Sequence, residues 1–434
     1  MSDLAGTNIL ILGGGGREHA IAHALSRSES AIKLHCAPGN PGIMALAQIH
    51  DADPCDGPKV LDLCLSHGIG LVVIGPEAPL AAGVADVLRA AGIRVFGPGR
   101  AGAALESSKT FAKNFMRRHG IPTADFDICK TPAECESAIS RRKPPYVIKA
   151  DGLASGKGVY LPDEAREAMK ICAETLSGKT LGGAGKTLVI EDFLPGRELT
   201  VFAITDGTSY RLLSPSRDHK RAFDGDRGPN TGGMGAYSPV TLPGGLVKLV
   251  EDDVLRPTLD GLRSDGIDYR GVIYMGLMIA EKDDGRPGIS VVEYNVRFGD
   301  PETQAVLPLY RGDFARLLTA CAEGRVDSCP DTGSAGAALC VVLTSDGYPG
   351  QFRRGLPIEG LGLEKNQQVN GAFVYHSGTA LDAAGRLVTS GGRVLSAVGT
   401  GDTFAEARDR AYALAASISF EGMRYRQDIG GSEE

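Results

Sequence analysis

Glu293, Asn295 and Arg297 recur at every second residue within Val291 to Glu302, which reads V-V-E-Y-N-V-R-F-G-D-P-E. Val291 and Val292 open a predicted strand, and its two-residue side-chain period sends those three polar groups to one face. A carboxylate beside an amide carbonyl suits a hard cation, since Mg²⁺ takes oxygen ligands and fills its other positions with phosphates and waters. A guanidinium one step further can grip a carboxylate or phosphate through two parallel hydrogen bonds. A polar strand edge facing water, with Gly299-Asp300-Pro301 as a plain turn, explains the same residues on pattern alone. Other stretches favour phosphate chemistry.

Near the start, a short apolar strand (Ile9 to Leu12) runs into Gly13-Gly14-Gly15-Gly16-Arg17-Glu18-His19 and a predicted helix from Ala20 to Ser26. Bare backbone N–H groups and a positive helix end make such a unit fit to hold a phosphate, and Arg17 adds charge. It is not the dinucleotide fingerprint, whose third glycine position is Glu18 or His19 here. Strands at Lys33 to Cys36 and Leu71 to Ile74 end in Ala37-Pro38-Gly39-Asn40 and Gly75-Pro76-Glu77-Ala78-Pro79-Leu80. Both endings fall where open α/β sheets place ligands, although the prolines read equally as turn residues. Arg94 to Phe96 completes a doubly wound domain over residues 1–105.

Further along, Glu106 to Lys109 begins a helix carrying Lys109, Lys113, Arg117 and Arg118, which by itself reads as a solvated face. A strand ending in Lys149 then enters the loop Ala154-Ser155-Gly156-Lys157-Gly158, and a second strand resumes at Val159. Such a hairpin flap can fold over polyphosphate through its N–H groups and two ammonium groups. It departs from a P-loop in glycine spacing and in lacking Ser or Thr after Lys157, and Gly182 to Thr187 reads as a surface turn. The strand Leu188 to Leu194 has apolar walls and leads through Pro195-Gly196-Arg197-Glu198 into Leu199 to Ile204. Its backbone suits an adenine edge and Glu198 a ribose hydroxyl, while a plain core strand fits as well. From Asp218-His219-Lys220-Arg221 to Ser238-Pro239 almost no apolar periodicity is visible, which favours a substrate loop. His219 alone reads as a structural histidine.

Composition frames these stretches. A chain of 434 residues with 42% hydrophobic and 23% charged content is too long for one core and reads as a soluble multidomain protein. Its net charge of −7, without a stripe of Lys or Arg, argues against nucleic acid or an anionic membrane as partner. Nine scattered cysteines without a CxxC pair suggest reduced thiols and a cytoplasmic protein. The only early apolar run is far too short for a signal peptide or a span.

Lys109, Lys149, the 154–158 loop, Glu191 to Leu194 with Glu198, and Glu293 with Asn295 fall in the order seen in ATP-grasp ligases. With Gly14 to Ala20, Gly75 to Leu80, Pro229 to Pro239 and Arg297 to Glu302 added, the chain closely resembles the phosphoribosylamine–glycine ligase family from about Asn8 to Gly430. Gly14 to His19 fit the family's glycine motif, with Gly13 one position before it. The resemblance implies ATP-dependent joining of glycine to 5-phosphoribosylamine in de novo purine synthesis, through glycyl phosphate. It implies an ATP-grasp core at 106–330 with a mobile flap at about 123–195, and a small α+β domain at 331–434 that closes the nucleotide site and holds few catalytic groups.

Residue roles follow from the same likeness. Lys109, Lys149, Gly156, Gly158, Glu191, Phe193, Leu194 and Glu198 would bind ATP, the cosubstrate, and Glu293 and Asn295 would hold Mg²⁺ or Mn²⁺. Lys157, Asp218 and Arg297 would serve catalysis. Gly15, Gly16, Arg17, Glu18, Asn40, Pro76 and Glu77 would frame phosphoribosylamine, with Asp218, Lys220, Asn230, Thr231, Gly233, Met234, Arg297, Gly299 and Asp300 completing the substrate sites. One departure stands out: many ATP-grasp enzymes carry a metal-binding acid on the preceding strand, whereas Val272 to Ile279 has none before Glu281, leaving the ion count open. The expected partners are small molecules only, and the expected state is a monomer or weak dimer. Two other readings persist: a different carboxylate-activating ATP-grasp ligase, which would not need the Pro229 to Pro239 loop, and a non-catalytic nucleotide binder on the same fold.

Overall fold

Ile9, Leu10, Ile11 and Leu12 are all inaccessible to solvent, the fate of an aliphatic run placed centrally in a parallel sheet covered on both faces. The structure, a computed structural model, describes residues 7–30, 32–153, 158–178, 185–281, 285, 287–361 and 371–431. The strand Thr7–Gly13 pairs in parallel with Ile32–Pro38 on one side and Ile69–Ile74 on the other, and Gln48–Ile49 and Arg94–Phe96 form the edges. Strand order reverses at Thr7–Gly13, so a crevice opens at the carboxyl ends of the two central strands. Gly13 to Gly16 and Gly75 to Glu77 occupy it. A Cβ on Gly14 would collide with the Gly39 carbonyl oxygen, so only glycine lets these two loops approach so closely.

The first helix spans Gly16–Ser26, one turn earlier than expected. Glu18 causes this: its Oε2 accepts the Gly15 N–H at 2.6 Å, satisfying an amide that would otherwise fray the helix start. Arg17, Glu18 and His19 are therefore helical. Downstream, the expected single basic helix is two, Arg100–Ser107 and Lys109–Arg118, with Ser108 between them accepting from Phe111 N at 3.1 Å. Its face is not wholly solvated either: Arg117 and Arg118 are exposed, whereas Lys113 is buried.

Phe126–Cys129, Leu188–Glu191, Val147–Ala150 and Val159–Tyr160 form an antiparallel sheet in that spatial order. It has its own small core, including Cys129, Cys135, Ile148, Cys172 and Ile190. Gly156 and Lys157 of its hairpin loop, and part of the Gly182 to Thr187 turn, lie outside the described residues. A second antiparallel sheet orders Tyr210–Leu212, Arg197–Thr205, Gly271–Glu281 and Pro287–Asn295. All nine cysteines are unpaired. Among the described residues no helix is long and apolar enough to cross a membrane.

The last large sheet takes strands from both sides of residue 330. Its order is Arg217–Asp218, Gly235–Ser238, Ala337–Thr344, Arg393–Gly401 and Ala372–His376, covered by Phe404–Ser417, which Thr403 caps. This corrects the reading of 218–239 as loop, since short strands lie within it. Gly235–Ser238 pairs with the fully buried strand Ala337–Thr344, and Arg221–Phe223 pairs with Arg227–Asn230. Distant backbone supplies the hydrogen bonds, so no local apolar period is required.

Asn40 joins the first and last sheets. Its Nδ2 donates to Gly14 O at 2.9 Å and His376 O at 2.8 Å, and its Oδ1 accepts from Ile43 N at 3.0 Å. Asn40→Ala strands these buried groups and is expected to cost about 1–3 kcal/mol, seen as a lower urea midpoint. An unchanged midpoint would show the ties to be dispensable.

Candidate active site

A cleft of about 1150 Å³ is lined by strand residues of the three other main sheets and, from the parallel domain, by Arg17, Pro76 and Glu77 beyond its strand ends. At one end Met116, Val147, Val159, Leu161 and Met278 give it apolar walls. Sheet pairing stops at Glu191, so Asp192, Phe193 and Leu194 run along that wall as extended chain. The Asp192 N–H still donates to Asp125 O at 3.0 Å, and an apolar slot beside the Phe193 and Leu194 backbone suits a purine ring.

Beyond the slot the cleft turns cationic. Lys149 Nζ lies 3.0 and 3.1 Å from the two Glu191 oxygens, and Lys113 Nζ lies 2.8 Å from one of them. Two buried ammonium groups on one carboxylate leave a net positive charge aimed at the cleft. Lys149 Nζ also donates to Val292 O at 3.0 Å. That carbonyl is free to accept because pairing slips there: Gly276 opposes Glu293 and Leu277 opposes Val291, which leaves Val292 as a bulge. Burial lowers the pKa of Lys113 to about 8 despite Glu191, and burial likewise lowers that of Lys109, whose Nζ donates to Gly152 O at 3.2 Å.

Glu293 faces these cations. Burial opposes its charge, but Lys220, Lys149, Lys109 and Arg297 outweigh it and hold the pKa below the usual carboxylate range. Among the described residues the Glu293 carboxylate has no direct ion-pair partner, and the neighbouring Asn295 Oδ1 accepts only from Arg297 Nη2, at 3.1 Å. An ionised oxygen and an amide oxygen two residues apart fit Mg²⁺ or Mn²⁺, with the other positions left for phosphate and water. Gly276 and Tyr274 stand opposite them on the neighbouring strand, so that strand adds no acid at this level.

Arg297 lies just past the strand end and is already engaged. Its Nη2 lies 2.8 Å from Glu106 Oε1, its Nε 3.5 Å from Glu77 Oε2, and its Nη1 donates to Phe298 O at 3.3 Å. Lys220 Nζ donates to Glu198 Oε2 at 2.7 Å. Burial raises Asp218, Lys220 opposes the rise, and Glu302, Glu198 and Glu293 add to it, leaving its pKa at about 8. Asp300 lies below its ordinary value: burial works against the charge, while Arg393, Arg17 and a 2.7 Å hydrogen bond from Gln304 Nε2 prevail.

The cleft thus gathers Arg17, Pro76, Glu77, Lys109, Lys149, Gly158, Glu191, Phe193, Leu194, Glu198, Asp218, Lys220, Asn230, Thr231, Glu293, Asn295, Arg297 and Asp300. The remaining described candidates are not among its lining residues. Gly15 and Glu18 cap the first helix, and Glu18 also pairs with Arg17 at 2.5 Å. Gly16 packs on Gln304, Gly233 on Pro301 and Gly299 on Glu302, Met234 is buried, and Asn40 makes the ties described above. Sequence reasoning missed Glu106, Lys113, Tyr274, Glu302 and Arg393, all of which line the cleft. Arg393, from the last sheet, donates to Asp300 O at 2.7 Å, and Tyr348 accepts from Gly232 N at 2.9 Å. The C-terminal segment, expected to supply few functional groups, therefore builds one wall of the site. Glu106 and Lys113 lay in the basic-helix stretch and Glu302 in the Arg297 to Glu302 run, but none had a site signal of its own.

An antiparallel flap sheet facing a second antiparallel sheet across a slot, with lysines on one side and an oxygen-ligand pair on the other, defines an ATP-grasp protein. Models of the phosphoribosylglycinamide synthetase N domain, ATP-grasp (A) domain and C domain match residues 7–106, 107–303 and 338–432. The phosphoribosylamine–glycine ligase of Streptomyces coelicolor is 46% identical over 97% of this chain and 98% of its own length. The Gallus gallus trifunctional purine biosynthetic protein adenosine-3 is 43% identical over 97% of this chain and 42% of its own. The crystal structure of the Thermotoga maritima phosphoribosylamine–glycine ligase superposes with a TM-score of 0.85 at 38% identity, covering 98% of this chain and all of that one. The chain belongs to the phosphoribosylglycinamide synthetase family.

The burial of Lys113, which Glu191 only partly offsets, generates a pH dependence. Lys113 ionises at about 8 in the folded protein against an ordinary 10.5, so the unfolded chain binds the extra proton between these values and folding grows more favourable as pH rises through the window. Relative to Lys113→Met, the wild type is expected to gain stability between about pH 8 and 10.5 in parallel denaturation series. A constant difference would refute the assignment.

Proposed function

We propose that the protein is a cytoplasmic ligase of de novo purine biosynthesis that joins glycine to 5-phosphoribosylamine, converting ATP to ADP and phosphate. A carboxylate is a poor acyl donor, so glycine first attacks the γ-phosphate to give glycyl phosphate and ADP. The amine of phosphoribosylamine then attacks the acyl carbon, phosphate leaves, and the nitrogen loses a proton. Charge builds on phosphoryl oxygens, so positioning and electrostatics carry most of the catalysis.

On this reading the apolar slot and the 192–194 backbone hold adenine, and Glu198, steadied by Lys220, meets the ribose. Lys109 and Lys149 contact phosphates, with Gly158 and the adjoining Gly156 and Lys157 covering them. Glu293 and Asn295 hold Mg²⁺ or Mn²⁺, which when bound neutralises charge on the terminal phosphates. Arg297 orients the Asn295 amide and lends its field to the developing acyl phosphate. The phosphate of phosphoribosylamine lies at the Gly15 to Arg17 helix start beside Pro76 and Glu77, and the glycine ammonium lies beside Asp218 or Asp300. Asn230 and Thr231 face the substrates, with Gly233 supporting them from behind. We assign no partner beyond these small molecules and a monomeric or weakly dimeric state.

The observation that carries the proposal is the ionised Glu293, set beside Asn295 and surrounded by lysines across from the purine slot. ADP release is expected only when glycine and freshly made phosphoribosylamine are both present. Turnover indifferent to glycine would point to another carboxylate-activating ligase, and ATP bound but never cleaved would point to a binding protein. Glu293→Gln is expected to slow metal-dependent ATP cleavage roughly tenfold or more, with the fold intact by circular dichroism. Unchanged magnesium dependence would remove Glu293 from the metal.

A further inference from the structure

His35, His50 and His67 form the one group of histidine, cysteine or acidic side chains among the described residues that converges in metal-binding fashion, and none of the three lines the cleft. Their ligand atoms all lie within 4.8 Å of one another. His35 Nδ1 and His50 Nε2 are 2.9 Å apart, and the His50 and His67 ring centroids are separated by 4.5 Å. Nitrogens bound tetrahedrally to zinc at 2.0–2.1 Å are about 3.3 Å apart, between the 2.9 Å of the tightest pair and the 4.8 Å limit of the set.

Each imidazole is fixed by a different element. His35 is on the strand Ile32–Pro38. His50 follows Gln48–Ile49, and its backbone N–H donates to Cys36 O at 2.9 Å. His67 ends the helix Gly57–Ser66, and its carbonyl accepts from Asn8 Nδ2 at 2.6 Å. His35 is buried and the other two are half-buried, so an ion can enter from solvent and keep a water as its fourth ligand.

We infer that His35, His50 and His67 bind a zinc-class divalent ion at a second metal site, distinct from Glu293 and Asn295. Imidazole suits zinc, cobalt, nickel and copper, whereas magnesium prefers oxygen. Burial and the neighbouring imidazoles lower the pKa of His35 and His50, so both are neutral and able to ligate at physiological pH. Binding needs only that the proton shared by His35 and His50 move to the far nitrogen of its own ring. The ion clamps the strand that ends in Ala37 to Asn40, and thereby the loop against Gly13 and Gly14. It takes no part in ligation.

The test uses the full chain stripped with chelator, titrated with Zn²⁺ against a chromophoric competitor and with Co²⁺ by absorption. One equivalent is expected in the wild type and in Glu293→Gln, with an intense tetrahedral cobalt spectrum and a higher melting temperature. His50→Gln and His67→Gln, each altering a half-buried ring on a separate element, are expected to lose that equivalent, the spectrum and the thermal shift. Their far-UV circular dichroism and metal-free melting temperature should match the wild type, which certifies their fold. No equivalent in the wild type, or the same equivalent in both histidine variants, would overturn the site. Because the readout is metal binding, failure here leaves the ligase reading untouched, and failure of that reading leaves this site standing.

Discussion

A carboxylate kept ionised in a buried place needs more positive charge nearby than it can pair with, and Glu293 meets that condition. Lys109, Lys149, Lys220 and Arg297 come from four separate segments of the chain, yet all of them act on this one group. Their convergence sets the geometry of everything around it. Lys149 is held by Glu191 and by the bulged Val292 carbonyl, Lys220 by Glu198, and Arg297 by Glu106 and Glu77. Lys149, Lys220 and Arg297 each have an acid beside them to offset their desolvation, while Lys109 donates to the Gly152 carbonyl, so that the excess charge stays directed into the cleft.

That arrangement links the sheets. The flap sheet contributes Lys149 and Glu191, the central antiparallel sheet Glu293 and Asn295, and the parallel sheet Glu77 through its crevice. The last sheet reaches in with Arg393 and shares two strands with the chain before residue 330. A polyphosphate entering between them would meet positive groups fixed in advance by packing, which is where preorganised electrostatics gains most over water. Glycines at Gly14 and Gly233 allow the backbone approaches this crowding demands.

Much of this was legible locally. The parallel domain followed from three apolar runs with polar, glycine-rich endings, and the oxygen-ligand pair from a two-residue period on one strand. Elsewhere local signals misled. The basic helix read as solvated, but Lys113 packs inward against Glu191, a residue 78 positions away whose charge no helical pattern could disclose. The 218–239 stretch read as loop because its strands are short and glycine-rich: two pair only with each other, and Gly235–Ser238 is fixed by the distant Ala337–Thr344.

Residue type and spacing alone determined which side chains have the chemistry for metal and phosphate, and which runs must be buried, because periodicity and donor type are properties of neighbouring residues. Only the tertiary structure decided which acids neutralise which bases, that Asn40 and Glu18 brace the wall while Arg393 and Tyr348 form it, and that three histidines far from the cleft meet. Those outcomes depend on contacts between residues tens to hundreds of positions apart, and separation along the chain carries no record of distance in space.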